Sequence, residues 1–242
     1  MSFYCEWDKT GDRFWETGVD RGVLYVQNPS TGAYGNGVVW DGLTSVQVQP
    51  TGGEANPQYA DNIKYLNLFS LEEIGATIEA FQAPDEFMEC DGGAAVASGA
   101  KLFARAQVRK PFGFTWRTRV GNDLDDELAY KIHILYGCKA SPSERQYQTV
   151  NESPEASTMS WTITTTPPST DVTDAATGLK PTSLFELDTR DFPSSGADYS
   201  KLTWLENTLY GTAAVTGTDA QDAILPALPS VADLVSHFKT AG

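Results

Sequence analysis

Alternation of apolar and polar positions dominates the middle of the chain. From Gly37 to Gln49, Val38, Trp40, Thr44, Val46 and Val48 fall on one parity and Asp41, Ser45, Gln47 and Gln49 on the other. A period of two predicts a strand with one buried and one wet face. The return run repeats the pattern: Ile74, Ala76, Ile78 and Ala80 share a parity, and Glu73, Thr77 and Glu79 take the opposite one. Between them, residues 50–62 form a polar stretch rich in turn formers, followed by the run 63–69. The region 36–93 therefore reads as two extended runs flanking a long loop, with Gly42 and Gly75 as bulges or bends.

The rest of the chain extends this β pattern. Gly22 to Gln27 is a short strand closed by the turn signal Asn28-Pro29-Ser30-Thr31-Gly32. In a second hairpin, Phe114, Trp116 and Val120 alternate with Thr115, Arg117 and Arg119, while Tyr130, Ile132, Ile134 and Tyr136 alternate with Lys131 and His133. This hairpin reads as half-buried, and the acidic run 123–127 forms its exposed turn. Thr158 to Thr166 and Thr182 to Asp188 add two strands, the first rich in β-branched residues. A Pro at the first turn and early carboxylates predict a short helix over 84–89. Leu202, Leu205 and Leu209 mark a helix stopped by Gly211, and 230–238 is a second helix with Ser230 as its cap. Residues 1–20 mix Phe3, Trp7, Phe14 and Trp15 with charges and follow neither period, so they read as an irregular arm. Residues 167–242 read as a C-terminal extension that carries the two helices.

Length and charge narrow the function classes. A chain of 242 residues with 40% hydrophobic content buries a substantial core, and one domain over 1–242 is expected. The formal charge of -15 repels nucleic acid and anionic membranes. The start of the chain lacks the pattern of a signal peptide, and no stretch approaches the ~20 apolar residues of a membrane span, which implies synthesis in a cytoplasm. Cys5, Cys90 and Cys138 are widely spaced and form no Cys-x-x-Cys pair, so reduced thiols are expected.

Catalytic chemistry has no anchor in these residues. His133 falls on the polar parity of a strand and His237 on a terminal helix, and both are expected to be solvated or interfacial. The run Asp123 to Glu127 lacks the spacing of a calcium loop, and Gly52-Gly53 and Gly92-Gly93 lack the ending of a phosphate loop. No catalytic residue, metal ligand or cofactor is expected. Long two-faced strands leave open edges, which an oligomer covers by pairing them.

Several stretches carry a family likeness. Gly22-Val23-Leu24-Tyr25-Val26, Gly37-Val38-Val39-Trp40-Asp41-Gly42-Leu43, residues 53–65 (GEANPQYADNIKY), Ala76-Thr77-Ile78-Glu79-Ala80, residues 84–92 (PDEFMECDG), 136–144 (YGCKASPSE) and 147–156 (YQTVNESPEA) occur in this order. Together they resemble the major tail tube protein of long-tailed, siphovirus-like bacteriophages and prophages of Gram-positive hosts, over residues 18–166. The resemblance implies a mainly β chain, a β-sandwich or open barrel with a flanking short helix. Its long hairpins would join a shared inner β-barrel when the protein forms hexameric rings, and the rings stack into a tube that carries genomic DNA.

Implied partners are the protein itself and the tape-measure, tail-terminator and tail-tip proteins, with DNA passing without specific binding. The implied location is the virion tail, after assembly in the host cytoplasm. Combined with strand parity, the resemblance makes Ser45, Gln47, Gln49, Glu73, Thr77, Glu79, Arg117, Arg119, Lys131 and His133 the channel-lining candidates. Cations in such a channel would grip DNA, so Arg117 and Arg119 are expected to pair with carboxylates such as Glu73 or Glu79. Thr51, Glu54, Asn56, Pro57, Tyr59, Asp61 and Asn62 are the inter-subunit loop candidates. The alternatives are a tube subunit of a tailocin or gene transfer agent, and a monomeric β-sandwich binding module.

Overall fold

The computed structural model describes residues 6–70, 72–97, 102–142, 149, 156–168, 182–215 and 222–238. Strands dominate: β1 (Phe14–Val26), β2 (Val38–Trp40), β3 (Leu43–Thr51), β4 (Ala55–Ala60), β5 (Ile63–Phe69), β6 (Glu73–Ala80), β7 (Ala94–Ala97), β8 (Leu102–Ala104), β9 (Phe112–Asn122), β10 (Ala129–Ala140), β11 (Met159–Thr165) and β12 (Leu184–Asp188). The two helices are α1 (Tyr199–Tyr210) and α2 (Val231–Phe238). The predicted helix at 84–89 forms as a 3₁₀ turn, Asp85–Glu89.

Eight strands form one antiparallel sheet in the order β2-β1-β9-β10-β11-β6-β3, with β12 also on β10. Its two ends, β2 and β3, are consecutive pieces of one run separated only by Asp41 and Gly42, the latter at φ 80°. The chain thus leaves β1 and joins β6 within two residues, and the sheet curls back on itself without closing its ladder. Leu43 seals the approach from inside. A Cβ on Gly22 of β1 would stand 2.5 Å from Leu43 Cδ1, so glycine is what lets the two ends meet. The mainly β class expected from the alternation is therefore what forms, and the curled, unclosed sheet agrees with the β-sandwich or open barrel that the resemblance implies.

The curled sheet encloses one core and carries a second on its outside. Inside, Leu24, Trp40, Ile78, Phe87, Phe112, Phe114, Trp116, Leu135, Trp161 and Ile163 pack together. Outside, Val23, Tyr25, Ile132, Ile134 and Tyr136 are covered by Leu202, Leu205 and Leu209 of α1 and Leu234 of α2. Tyr25 Oη donates to Leu209 O at 2.7 Å, and Tyr136 Oη donates to Pro229 O at 3.0 Å, which ties the helices to the sheet. Cys90 and Cys138 are buried free thiols, and burial pushes Cys90 up to about 12.

Three expectations are corrected here. The second hairpin is not half-wet, because β9 and β10 are buried on both faces over most of their length. Cross-strand partners are Phe114↔Leu135 and Trp116↔His133, so the apolar parity of β9 faces inward and that of β10 faces the helices. The arm is irregular only in part: Phe14 to Asp20 pair with β9 as the first half of β1. Gly75 is no bulge, since it pairs regularly with Gln49 and Thr164. The bulge lies instead at Thr44, the extra residue between Leu43↔Ala80 and Ser45↔Glu79.

Candidate assembly surface

The expected long loop is a hairpin. Asp61 and Asn62 have φ of 52° and 64°, the left-handed pair that a two-residue type I′ turn needs and that Asp and Asn tolerate. Around this turn β4 pairs with β5, from Ala60↔Ile63 to Ala55↔Phe69. The register Ala55↔Phe69 continues Thr51↔Glu73 and Ser45↔Glu79 of the β3–β6 ladder, interrupted only around Gly52 and Gly53. Leu43 to Ala80 is therefore one long hairpin whose distal half projects from the sheet. Sequence reasoning missed it because turn formers at 50–57 mask the strand pattern, although Asp61-Asn62 between two extended runs is a hairpin signal.

Every residue of β4 and β5 is exposed. Apolar side chains nevertheless dominate β5, where Ile63, Tyr65, Leu66, Leu68 and Phe69 are uncovered, with Phe69 at 70% and Tyr59 of β4 at 71%. Cross-strand pairing puts Leu66 opposite Gln58 and Leu68 opposite Asn56 on one face, while Phe69 and Asn67 share the other with Ala55 and Pro57. A two-stranded hairpin with neither face covered is marginal in water, and a contiguous apolar patch of this kind marks an interaction surface. All seven loop candidates lie on this projection or at its root: Thr51 ends β3, Glu54 precedes β4, Asn56, Pro57 and Tyr59 are in β4, and Asp61 and Asn62 form the turn.

Below the projection, the outer face of β3, β6 and β11 forms a polar sheet. Ser45, Gln47 and Gln49 align across the ladders with Glu79, Thr77 and Gly75, and these in turn with Ser160, Thr162 and Thr164. Glu73 has the same parity at the end of β6. Six of the channel-lining candidates thus share one outward face. It also includes the β11 hydroxyls, whose alternation with Trp161 and Ile163 is visible in the sequence. Ser45 Oγ donates to Glu79 Oε2 at 2.8 Å, which holds that carboxylate against the sheet.

Arg117, Arg119, Lys131 and His133 do not join this face, nor do they share one. The pairs Arg117↔Ile132 and Arg119↔Tyr130 put both arginines on the helix-covered side, whereas Thr118↔Lys131 and Trp116↔His133 put the other two on the opposite side. His133 is buried rather than solvated. It stacks on Trp116 with ring centroids 4.9 Å apart, Nδ1 lies 3.0 Å from Glu186 Oε1, and Nε2 lies 2.8 Å from Thr118 Oγ1. His237 stacks on Trp204 at 3.7 Å.

Both arginines do meet carboxylates, but not Glu73 or Glu79. Arg117 donates through Nε and Nη2 to the two Asp20 oxygens at 2.8 and 2.9 Å and lies over the Tyr130 ring at 4.6 Å. Arg119 pairs with Glu127 at 2.5 Å and stands 3.6 Å from Asp20. Asp20 lies in the stretch 1–20 that follows neither period, so nothing local marks it as the partner that pairing of β1 with β9 makes it.

The hydrogen bonds from Arg117 hold the Asp20 carboxyl below its ordinary value of 3.8, against the opposing effect of burial. A depressed folded-state pKa contributes stability that is fully present above 3.8 and is lost as pH falls through the lower folded value. Asp20→Asn is therefore expected to lower stability at neutral pH and to make it less pH-dependent below about pH 4. Urea midpoints measured from pH 2 to pH 7 check this; parallel acid limbs for the two proteins would contradict it.

Among the described residues no group of three His, Cys, Asp or Glu side chains is placed to hold a metal. Nor is any described helix long and apolar enough to cross a membrane. No protein-family model and no curated protein matches the sequence.

Proposed function

We propose that this protein is a structural subunit of a phage tail tube, without catalytic activity, assembling as hexameric rings that stack into the conduit for genome delivery. The observation that carries the reading is the projecting β4–β5 hairpin, whose apolar residues meet no other part of the described chain closely enough to be buried. Covering them requires another molecule, and a repeating assembly supplies one to every subunit. The ordered run of tail-tube-like stretches between residues 18 and 166 supports the same reading.

The polar outer face of β3, β6 and β11, whose aligned charges Glu73 and Glu79 are both acidic, suits the lumen. Hydroxyl and amide side chains stay hydrated there without drawing phosphates, and the net charge of -15 opposes adhesion of DNA. The arginines of β9 are tied to Asp20 and Glu127 and so do not add free cations to that face. In this role the subunit belongs to the virion tail and meets tape-measure, terminator and tip proteins at the ends of the tube.

Negative-stain electron microscopy of the purified protein over a concentration series tests the proposal. Rings or hollow tubes with sixfold symmetry are expected. A strictly monomeric particle at every concentration, with saturable binding of a glycan or protein, would identify a β-sandwich binding module instead.

A further inference from the structure

His133 is buried, and both of its ring nitrogens face hydrogen-bonding groups on neighbouring strands. Register gathers the surrounding residues into one row: Thr118 of β9 pairs with Lys131 of β10, Lys131 with Asp188 of β12, and His133 with Glu186 of β12. Glu16 of β1 reaches the same row, where Thr118 Oγ1 donates to its Oε1 at 2.6 Å and Lys131 Nζ to its Oε2 at 2.5 Å. His133 completes the row. Nε2 lies 2.8 Å from Thr118 Oγ1 and 3.5 Å from Glu16 Oε1, and Nδ1 lies 3.0 Å from Glu186 Oε1. The charged groups around the imidazole are thus Glu16 from β1, Lys131 from its own strand, and Glu186 and Asp188 from β12, while β9 supplies Thr118 and the Trp116 ring stacked 10° from parallel.

The supply of protons decides which of these groups donate. A threonine hydroxyl has one hydrogen, and Thr118 gives it to Glu16, so Nε2 meets Thr118 Oγ1 only by donating to it. An ionised carboxylate only accepts, so Nδ1 meets Glu186 only by donating as well. The gap between Thr118 and Glu186 therefore matches the imidazolium, which carries both N–H groups.

Neutral imidazole has one N–H and cannot serve both sides. With that hydrogen on Nδ1, the bare Nε2 takes the Thr118 hydrogen and Glu16 loses a donor. With it on Nε2, the link from Thr118 to Glu16 stays and the bare Nδ1 faces a carboxylate oxygen at 3.0 Å. Glu186 is the side that yields, because its side chain is 54% exposed against 36% for Glu16, and water replaces the bond it gives up.

We propose that His133 is a proton-operated clasp between β10 and β12: with both nitrogens protonated it holds Glu186, and with one proton lost it keeps Nε2–H on Thr118 and releases Glu186, which loosens β12. Among the described strands β12 pairs with β10, and it is five residues long, so few bonds attach it to the sheet. The clasp contributes stability while His133 carries both protons, and that contribution is lost as pH rises and one leaves. It operates within one subunit, whether or not the subunit assembles.

Hydrogen exchange of β12 on the two sides of the ordinary histidine range tests the clasp. After correction for the intrinsic pH dependence of exchange, the β12 amides bonded to β10 are expected to open about tenfold more often at about pH 8 than at about pH 5. Glu186→Gln is expected to abolish this step, because the amide donates to a bare Nδ1 and so holds neutral imidazole as well as imidazolium. His237 is the other histidine of the chain, and His237→Asn is expected to keep the step.

Nitrogen resonances of the His133 ring give a second readout. In the neutral form they are expected to report a hydrogen on Nε2 and none on Nδ1. A neutral ring with its hydrogen on Nδ1 would overturn the proposal, as would equal opening of β12 at both pH values in the unsubstituted protein. So would a step that survives Glu186→Gln or disappears in His237→Asn.

Discussion

The double variant Leu66→Ser/Leu68→Ser is expected to stay folded and to lose assembly. Both side chains are exposed in the subunit, on the face of the hairpin that they share with Asn56 and Gln58. Exposed substitutions of this kind change the stability of the free subunit by about 0.5 kcal/mol or less each. Burial of a leucine against a neighbour contributes about 1.5–3 kcal/mol relative to exposure. Removing two per contact therefore raises the concentration for ring formation by roughly 100-fold to 10,000-fold, at 1.4 kcal/mol per factor of ten. Sedimentation velocity gives the assembly threshold, and urea unfolding of the dilute protein reports the fold. Unchanged assembly by the folded variant would remove this face of the hairpin from the interface.

Trp40→Ala is expected to produce the largest loss of subunit stability. Trp40 is 1% exposed and stands at the junction where the chain passes from β1 to β6. Its ring lies 4.5 Å from Phe87, 5.4 Å from Phe114 and 5.5 Å from Trp161, centroid to centroid, and Nε1 donates to Gln82 O at 2.8 Å. Truncation leaves a cavity among aromatic rings that cannot collapse together, and takes the hydrogen bond from a part-buried carbonyl. A loss of about 3–5 kcal/mol follows. For a chain of this size that corresponds to a drop of roughly 6–20 °C in Tm. Trp40→Phe keeps most of the volume and is expected to recover more than half of the loss. A change below about 1 kcal/mol for the alanine variant would show that the inner core does not depend on this ring.

Parts of the candidate surface are legible from residues alone. Ser45, Gln47, Gln49, Thr77 and Glu79 announce a wet face by alternating with Val46, Val48, Ile78 and Ala80, and the pairing of β3 with β6 keeps them together. Arg117 and Lys131 look equally wet by the same rule. They end on opposite sides of the sheet because the register between β9 and β10 sets the even-numbered positions of one strand beside the odd-numbered positions of the other, so Lys131 shares a face with Thr118 and Arg117 with Ile132. The apolar parity of β10 then lies under α1 and α2, whose residues come from the far end of the chain. Asp20 illustrates the same limit: its partner Arg117 lies 97 positions away, and nothing local to either residue indicates the pair.

The sequence by itself determined the β class, the faces of β3 and β6, and the positions of α1 and α2, because alternation and helical spacing are local properties of neighbouring residues. It also contained the type I′ pair Asp61-Asn62. Only the tertiary structure decided which side of the sheet each parity of β9 and β10 meets, which carboxylates hold the arginines, and that residues 50–69 prolong the β3–β6 ladder rather than loop away from it. Those outcomes depend on register between strands and on cover from distant segments, and both are set by contacts between residues far apart in the chain.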